Sequence, residues 1–167
     1  MTNSELSALI DERLDWRSIP GRMFWKVSKE HGNNGGYAGK EAGCIFKTPS
    51  SGYWKIGING KYYGRSRLVF LMFNNYLPQF IDHKDLNRTN DHPDNLRAAT
   101  RSKNGANRLK QQNNTSGIKG VHRDRNWRAR IGFKQRSIHL GRFQTKEEAS
   151  QAYQKAAREL YGQFAKV

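Results

Sequence analysis

Asp82 and His83 stand side by side in the run Phe80-Ile81-Asp82-His83, and Asn95 and Asn104 follow within the next turns of the chain. A carboxylate and a carboxamide are hard oxygen donors, and an imidazole moves protons near neutral pH. Hydrolysis of a phosphodiester needs an activated water, neutralisation of the scissile phosphate and help for the leaving 3′ oxygen. A divalent ion supplies the last two and a nearby imidazole the first. Mg²⁺, or Mn²⁺ in its place, keeps several waters and asks for only one or two protein ligands. Asp82 offers a carboxylate oxygen and Asn104 an amide oxygen. The chain has 167 residues and a formal charge of +16, so a polyanion is the expected substrate. The expectation is a metal-dependent nuclease.

These residues must be positioned by a hook of strand, loop, strand and helix. Phe80–His83 reads as a strand, Lys84 to Asp94 as a polar loop, and Asn95 opens the short apolar run Leu96-Arg97-Ala98-Ala99-Thr100. Asn104 falls in a helix. Neighbours on a strand point to opposite faces, so Asp82 and His83 reach different partners unless the strand end twists. Upstream, Ser4 to Leu14 reads as a helix capped by Ser4, with Leu6, Leu9, Ile10 and Leu14 as its apolar stripe. His31–Gly36 reads as a loop and Pro49–Gly52 as a turn. The alternating run Tyr53–Ile58, then Asn59-Gly60, then Lys61–Gly64, predicts a hairpin with a type I′ turn. Ser66 is expected to cap a helix over Leu68–Phe73 that ends near Asn74-Asn75.

The stretch Phe80–Arg108 resembles the ββα-metal fold of HNH endonucleases, in particular the phage-type homing endonucleases. The matching residues are Asp82-His83, Asn95-Leu96 and Asn104. The resemblance implies His83 as general base and Asp82 with Asn104 as metal ligands. It implies that the Asn95 side chain pins the loop and orients His83, with Asn87 and Asn90 as turn formers. Family members commonly carry His-Arg-Leu upstream, whereas this chain has Ser66-Arg67-Leu68.

Leu109–Gly117 is polar and ends in glycine, which marks a linker. It divides a nuclease domain over 1–108 from a second domain over 118–167. The second holds three short strand patterns, Lys119–His122, Trp127–Ile131 and Ser137–Leu140. A capping box, Thr145 to Glu148, then opens a helix bearing Ala149, Ala152, Tyr153, Ala156, Ala157, Leu160 and Tyr161. Residues 114–165 resemble the plant ethylene-response-factor (apetala-two) DNA-binding domain, through Gly120-Val121, Trp127–Ile131, Leu140–Phe143, Thr145 and the helix alanines. That resemblance implies a three-stranded sheet that enters the major groove with the helix behind it. Alternation sends Trp127, Ala129, Ile131, Ile138 and Leu140 to the helix and leaves Arg128, Arg130, Ser137 and His139 outward. Lys119, His122, Arg123 and Arg125 lie on or beside the first hairpin, and all eight polar residues are candidate DNA contacts. Arginine forks suit guanine edges as well as phosphates. The expected fold class is therefore α+β, a ββα-metal module followed by a three-stranded antiparallel sheet packed on one helix.

Charge distribution agrees with a nucleic-acid partner. Residues 1–22 carry three basic and four acidic groups, net −1, whereas residues 101–167 carry sixteen and four, net +12. A solvated basic face explains the same numbers without a partner. The single cysteine, Cys44, rules out an internal disulfide and a cysteine-rich zinc site. No apolar run approaches a membrane span, and no leader is visible at Met1, so an intracellular location is expected. The expected partner is double-stranded DNA, with no membrane and no obligate protein partner. The main alternative is a sequence-specific DNA-binding regulator with an inactive nuclease fold. An RNA-binding basic protein is the second.

Overall fold

Thr2 starts the first helix, α1 (Asn3–Arg13). Its hydroxyl accepts from the Glu5 amide at 3.2 Å, and the Glu5 carboxylate accepts from the Thr2 amide at 2.7 Å. This reciprocal pair satisfies two orphan amides, so it outcompetes the cap expected at Ser4. The computed structural model describes residues 1–26, 37–48 and 51–167. The loop expected over His31–Gly36 and residues 49 and 50 of the expected turn lie outside them. The chain forms two compact units, Met1–Ala98 and Ala99–Val167.

In the first unit, β1 (Leu14–Asp15) pairs antiparallel with β2 (Phe24–Trp25). β3 (Cys44–Thr48), β4 (Ser51–Ile58) and β5 (Lys61–Gly64) form an antiparallel meander. Asn59 and Gly60 both adopt positive φ, 49° and 73°, as the predicted type I′ turn requires. Helix α2 (Arg65–Asn74) follows directly. Gly64 is its N-cap and makes no side-chain bond, so Ser66 sits inside the first turn and is not the expected cap. Asn75, at φ 61°, ends the helix in the left-handed region. Ile56 and Ile58 of β4 meet Leu6 and Ile10 of α1 and Leu68, Val69 and Leu71 of α2 in one core. Burying each such aliphatic side chain contributes about 1.5–3 kcal/mol. β6 (Phe80–His83) pairs with β7 (Leu96–Ala99), the latter ending at the first residue of the second unit.

The second unit begins with α3 (Arg101–Ala106), capped by Thr100. The antiparallel sheet β8 (Val121–Arg123), β9 (Trp127–Phe133) and β10 (Arg136–Phe143) has the order β10-β9-β8. Helix α4 (Lys146–Tyr161) packs on it and begins at the predicted Thr145–Glu148 box. Ala129 and Ile131 are buried against Ala149, Tyr153 and Ala157, as alternation predicts. Gly120 permits this closeness. A Cβ there would lie 2.1 Å from the Tyr153 ring, and its φ is 72°. The expected fold class holds: an α+β chain with a three-stranded antiparallel sheet packed on one helix.

Short helix α3 is held within this second unit. The hydroxyls of Ser102 and Tyr161 lie 2.9 Å apart, and Lys166 donates its amide to the Ala106 carbonyl. The segment 109–117 lies inside the unit as well, with Asn114 and Ser116 bonded to the Ile118 carbonyl at 2.9 Å each.

Candidate active site

Strand β6 delivers Asp82 and His83 to different surroundings, as the pleat requires. The Asp82 side chain is 4 % exposed, and its Oδ2 accepts from Nε and Nη2 of Arg97, both at 2.8 Å. Arg97 comes from the paired strand β7. A carboxylate this buried requires a counter-charge, and the guanidinium fork provides it.

His83 turns to the loop. Its Nε2 lies 2.9 Å from Oδ1 of Asp91, whose side chain is 1 % exposed. The other Asp91 oxygen accepts from Nε of Arg65 at 2.7 Å. Arg65, 4 % exposed, also donates to Glu41 at 2.7 Å and to the Thr89 carbonyl at 3.1 Å, and its guanidinium lies over Trp54. Arg22 grips Glu41 in turn, and that hydrogen bond holds the Glu41 carboxyl below its usual range against the opposing effect of burial. A line of alternating charge thus runs from the surface to the His83 ring.

The loop between β6 and β7 is fixed from within. Asn95 donates through Nδ2 to Asp85 at 2.9 Å and to the Asn90 carbonyl at 2.7 Å, while its Oδ1 accepts from the Asp85 amide at 3.1 Å. Its carbonyl accepts from Lys84. Asn95 therefore joins both ends of the loop, and Asp91 meets the His83 ring. Burial works against the Asp85 carboxylate, but hydrogen bonds from Asn90, Asn95 and the Asn87 amide hold its pKa below the ordinary value. Asn87 makes a turn with Thr89, its Oδ1 accepting from the Thr89 amide at 3.1 Å and hydroxyl at 2.7 Å. Gly21 holds the loop from outside, and a Cβ there would lie 2.6 Å from the His92 amide.

Residues 63–106 match the family model for HNH endonuclease. The matched stretch holds Asp82, His83, Asn95 and Asn104, and also Arg65, Asp91 and Arg97. No curated protein and no solved structure matches the chain. Within the matched stretch, Asp82, His83 and Asn95 belong to the first unit and Asn104 lies on α3 of the second. Among the described residues no group of three or more His, Cys, Asp or Glu side chains is placed to hold a metal. A pair of one carboxylate and one amide is smaller than such a group, and Asp82 is the carboxylate on β6. It is a hard oxygen donor, buried, and already matched to a positive charge.

Asp91, Arg65, Asp85 and Arg97 escaped the sequence reading. Arg65 and Asp91 lie 26 positions apart, with no local pattern to join them. Asp85 and Arg97 had a signal: an acid two residues before Asn87, and a base on the strand paired with Asp82.

In the second unit, register defines the face opposite α4. His122 pairs with Arg128, Arg128 with Arg142, Arg130 with His139, and Ser137 with Gly132. Directly opposed residues share a face. The sheet thus presents Arg128, Arg130, Ser137 and His139 together, as expected from alternation, and adds His122 and Arg142. A bulge between His139 and Gly141 shifts the alternation and brings Arg142 to this side. Burial, then the charges of Arg130 and Arg128, depress the His122 pKa. Arg128 Nε is buried with no hydrogen-bond partner among the described residues.

The remaining candidates are placed differently. Lys119 spends its ammonium on the carbonyls of Ala106 at 2.5 Å and Arg108 at 2.7 Å, and burial lowers its pKa. Arg123 pairs with Trp127, on the helix side, with its guanidinium 5.5 Å from that ring. Arg125 is exposed in the β8–β9 turn. Ile138 shares the inward face of Ile131 but stays 38 % exposed on the edge strand.

Proposed function

We propose that this chain is a divalent-metal-dependent DNA endonuclease of phage or homing type. The first unit carries the base and the sheet of the second holds the duplex. The observation that carries this reading is the pair on β6: a deeply buried Asp82 matched to a cation, beside a His83 ring held by Asp91.

His83 takes a proton from the attacking water. Asp82 and, by the family resemblance, Asn104 would hold the ion, Mg²⁺ or Mn²⁺. A bound ion would supply charge neutralisation at the scissile phosphate and help for the departing 3′ oxygen. Asn95, by tying Asp85 to Asn90, keeps the loop that bears Asp91 in place. Cleavage in this manner leaves 5′-phosphate and 3′-hydroxyl ends.

The sheet of the second unit supports the duplex as partner. Its face gathers arginines and histidines and carries a buried guanidinium nitrogen, Arg128 Nε, that has no acceptor among the described residues. A phosphate or guanine oxygen is the complementary ligand, and the major groove is wide enough to admit a β-sheet. Among the described residues no helix is long and apolar enough to cross a membrane.

The test is incubation of supercoiled plasmid, and of a library of duplex sites, with Mg²⁺ or Mn²⁺ and with a chelator. Relaxed or linear DNA that forms only with metal supports the reading. Tight duplex binding without any cut product contradicts it and favours a DNA-binding regulator.

A further inference from the structure

Asp91 takes no direct part in the chemistry proposed for this site, yet its geometry is specific. Its side chain is 1 % exposed, and its two oxygens have two different partners, His83 Nε2 at 2.9 Å and Arg65 Nε at 2.7 Å. Arg65 keeps its own position through Glu41, Thr89 and the Trp54 ring. The backbone of Asp91 and His92 is closely backed by Gly21.

We propose that Asp91 is the positioning residue of the base. Its carboxylate holds the proton of neutral His83 on Nε2, so that Nδ1 is the nitrogen that accepts a proton from water. The proposal rests on the nuclease reading. Its chemistry is simple. An ionised carboxylate only accepts hydrogen bonds, so a ring nitrogen at 2.9 Å from it must donate. Neutral imidazole carries one N–H, so the acceptor lone pair then belongs to the other nitrogen. When the proton moves, Nδ1 gains it from water, Nε2 keeps its own, and Asp91 faces the resulting imidazolium. The water becomes the hydroxide that attacks phosphorus. Asp91 does not itself change protonation. The arrangement is the carboxylate–imidazole logic of hydrolytic triads, with water in place of a side-chain nucleophile.

Arg65 matters as much as the carboxylate. By occupying Oδ2 it leaves Oδ1 as the oxygen that meets the ring and prevents rotation of the carboxylate. A purely structural ion pair between Arg65 and Asp91 would need no histidine at its end.

Asp91→Asn is the decisive substitution. An amide at this site can donate to Nε2 as well as accept from it, so it populates the tautomer with the proton on Nδ1 and removes the charge that faces the imidazolium. The full-length chain, labelled at the imidazole nitrogens and free of metal, reports its His83 tautomer by long-range nitrogen–proton correlation. The same preparations give nicking rates on plasmid at saturating enzyme, and duplex affinity from a binding titration. The proposal expects wild-type His83 with its proton on Nε2, a shifted tautomer in Asp91→Asn, a nicking rate lower by about 10²- to 10⁴-fold, and affinity unchanged within about twofold. Arg65→Lys keeps the buried charge but not the Nε donor, and is expected to slow nicking by a smaller factor with affinity unchanged. Wild-type protein with the proton on Nδ1 overturns the proposal even if Asp91→Asn does not fold. So does an Asp91→Asn variant that nicks at the wild-type rate. Wild-type protein that cleaves no duplex, yet shows the Nε2 proton, overturns the nuclease reading itself and the role of Asp91 in it.

Discussion

Arg97 grips the buried carboxylate of Asp82 from the neighbouring strand, with Nε and Nη2 both 2.8 Å from the same oxygen. The guanidinium holds the charge that an ion would otherwise balance. Arg97→Ala leaves Asp82 buried without this partner, which costs about 3–5 kcal/mol in typical buried pairs. The metal-free variant is expected to melt well below wild type, and Mg²⁺ or Mn²⁺ to raise its Tm more than that of wild type. Calorimetric scans with and without the ions check this. Equal metal-induced shifts in both proteins would count against Asp82 as the ligand.

Gly21 is placed where no side chain fits. Its φ is 83°, and a Cβ would stand 2.6 Å from the His92 amide and 2.8 Å from the Asp91 carbonyl carbon. Gly21→Ala is expected to cost about 2–3 kcal/mol from backbone strain and displacement of the loop. Because the displaced segment carries Asp91, cleavage should fall more than the fraction of folded protein does. Denaturant unfolding beside a nicking assay separates the two.

The loop should be sensitive to acid. Asp85 has its pKa lowered in the fold, so it stabilises the native state above the ordinary carboxylate value. That contribution fades as pH falls through the lowered value. Tm followed from about pH 7 to about pH 3 should drop in wild type, and Asp85→Asn should lose part of the drop. An identical acid slope in both would refute the assignment. The side chain is exposed, so the effect is a modest one.

On the second unit, Arg128→Ala with Arg130→Ala is expected to weaken duplex binding by about 1–3 kcal/mol for each arginine that reads a base edge. If both arginines meet phosphates instead, the salt slope of log K should fall by about 1.8. Arg142→Ala should behave like a member of the same set, since the bulge places it opposite Arg128. Titrations at several salt concentrations distinguish these outcomes. Unchanged affinity and slope in the double variant would reject the sheet face as the docking surface.

Much of the fold could be read wherever a local rule acts alone. Asn59-Gly60 made its turn, Thr145–Glu148 its cap, and Trp127, Ala129 and Ile131 their inward face. Ser4 and Ser66 misled because a cap competes with its neighbours: Thr2 with Glu5 formed the better box, and β5 ran directly into α2 at Gly64. The outward set of β10 was incomplete because one bulged residue reverses the alternation. Lys119 has carbonyl partners at and beyond the end of α3 that its place beside the first hairpin does not reveal in the sequence. The candidates Asp82, His83 and Asn95 could be singled out because their types and spacing are local. Asp91 and Arg65 were not, because only the folded loop and α2 bring them together.

The measurement that bears most directly on the nuclease reading compares wild type and His83→Ala for cleavage and for duplex binding in the same buffer with Mg²⁺. The variant is expected to lose cleavage by at least about 10²-fold and to bind duplex as wild type does. Cleavage retained in His83→Ala, or equal loss of cleavage and binding, would contradict His83 as the base.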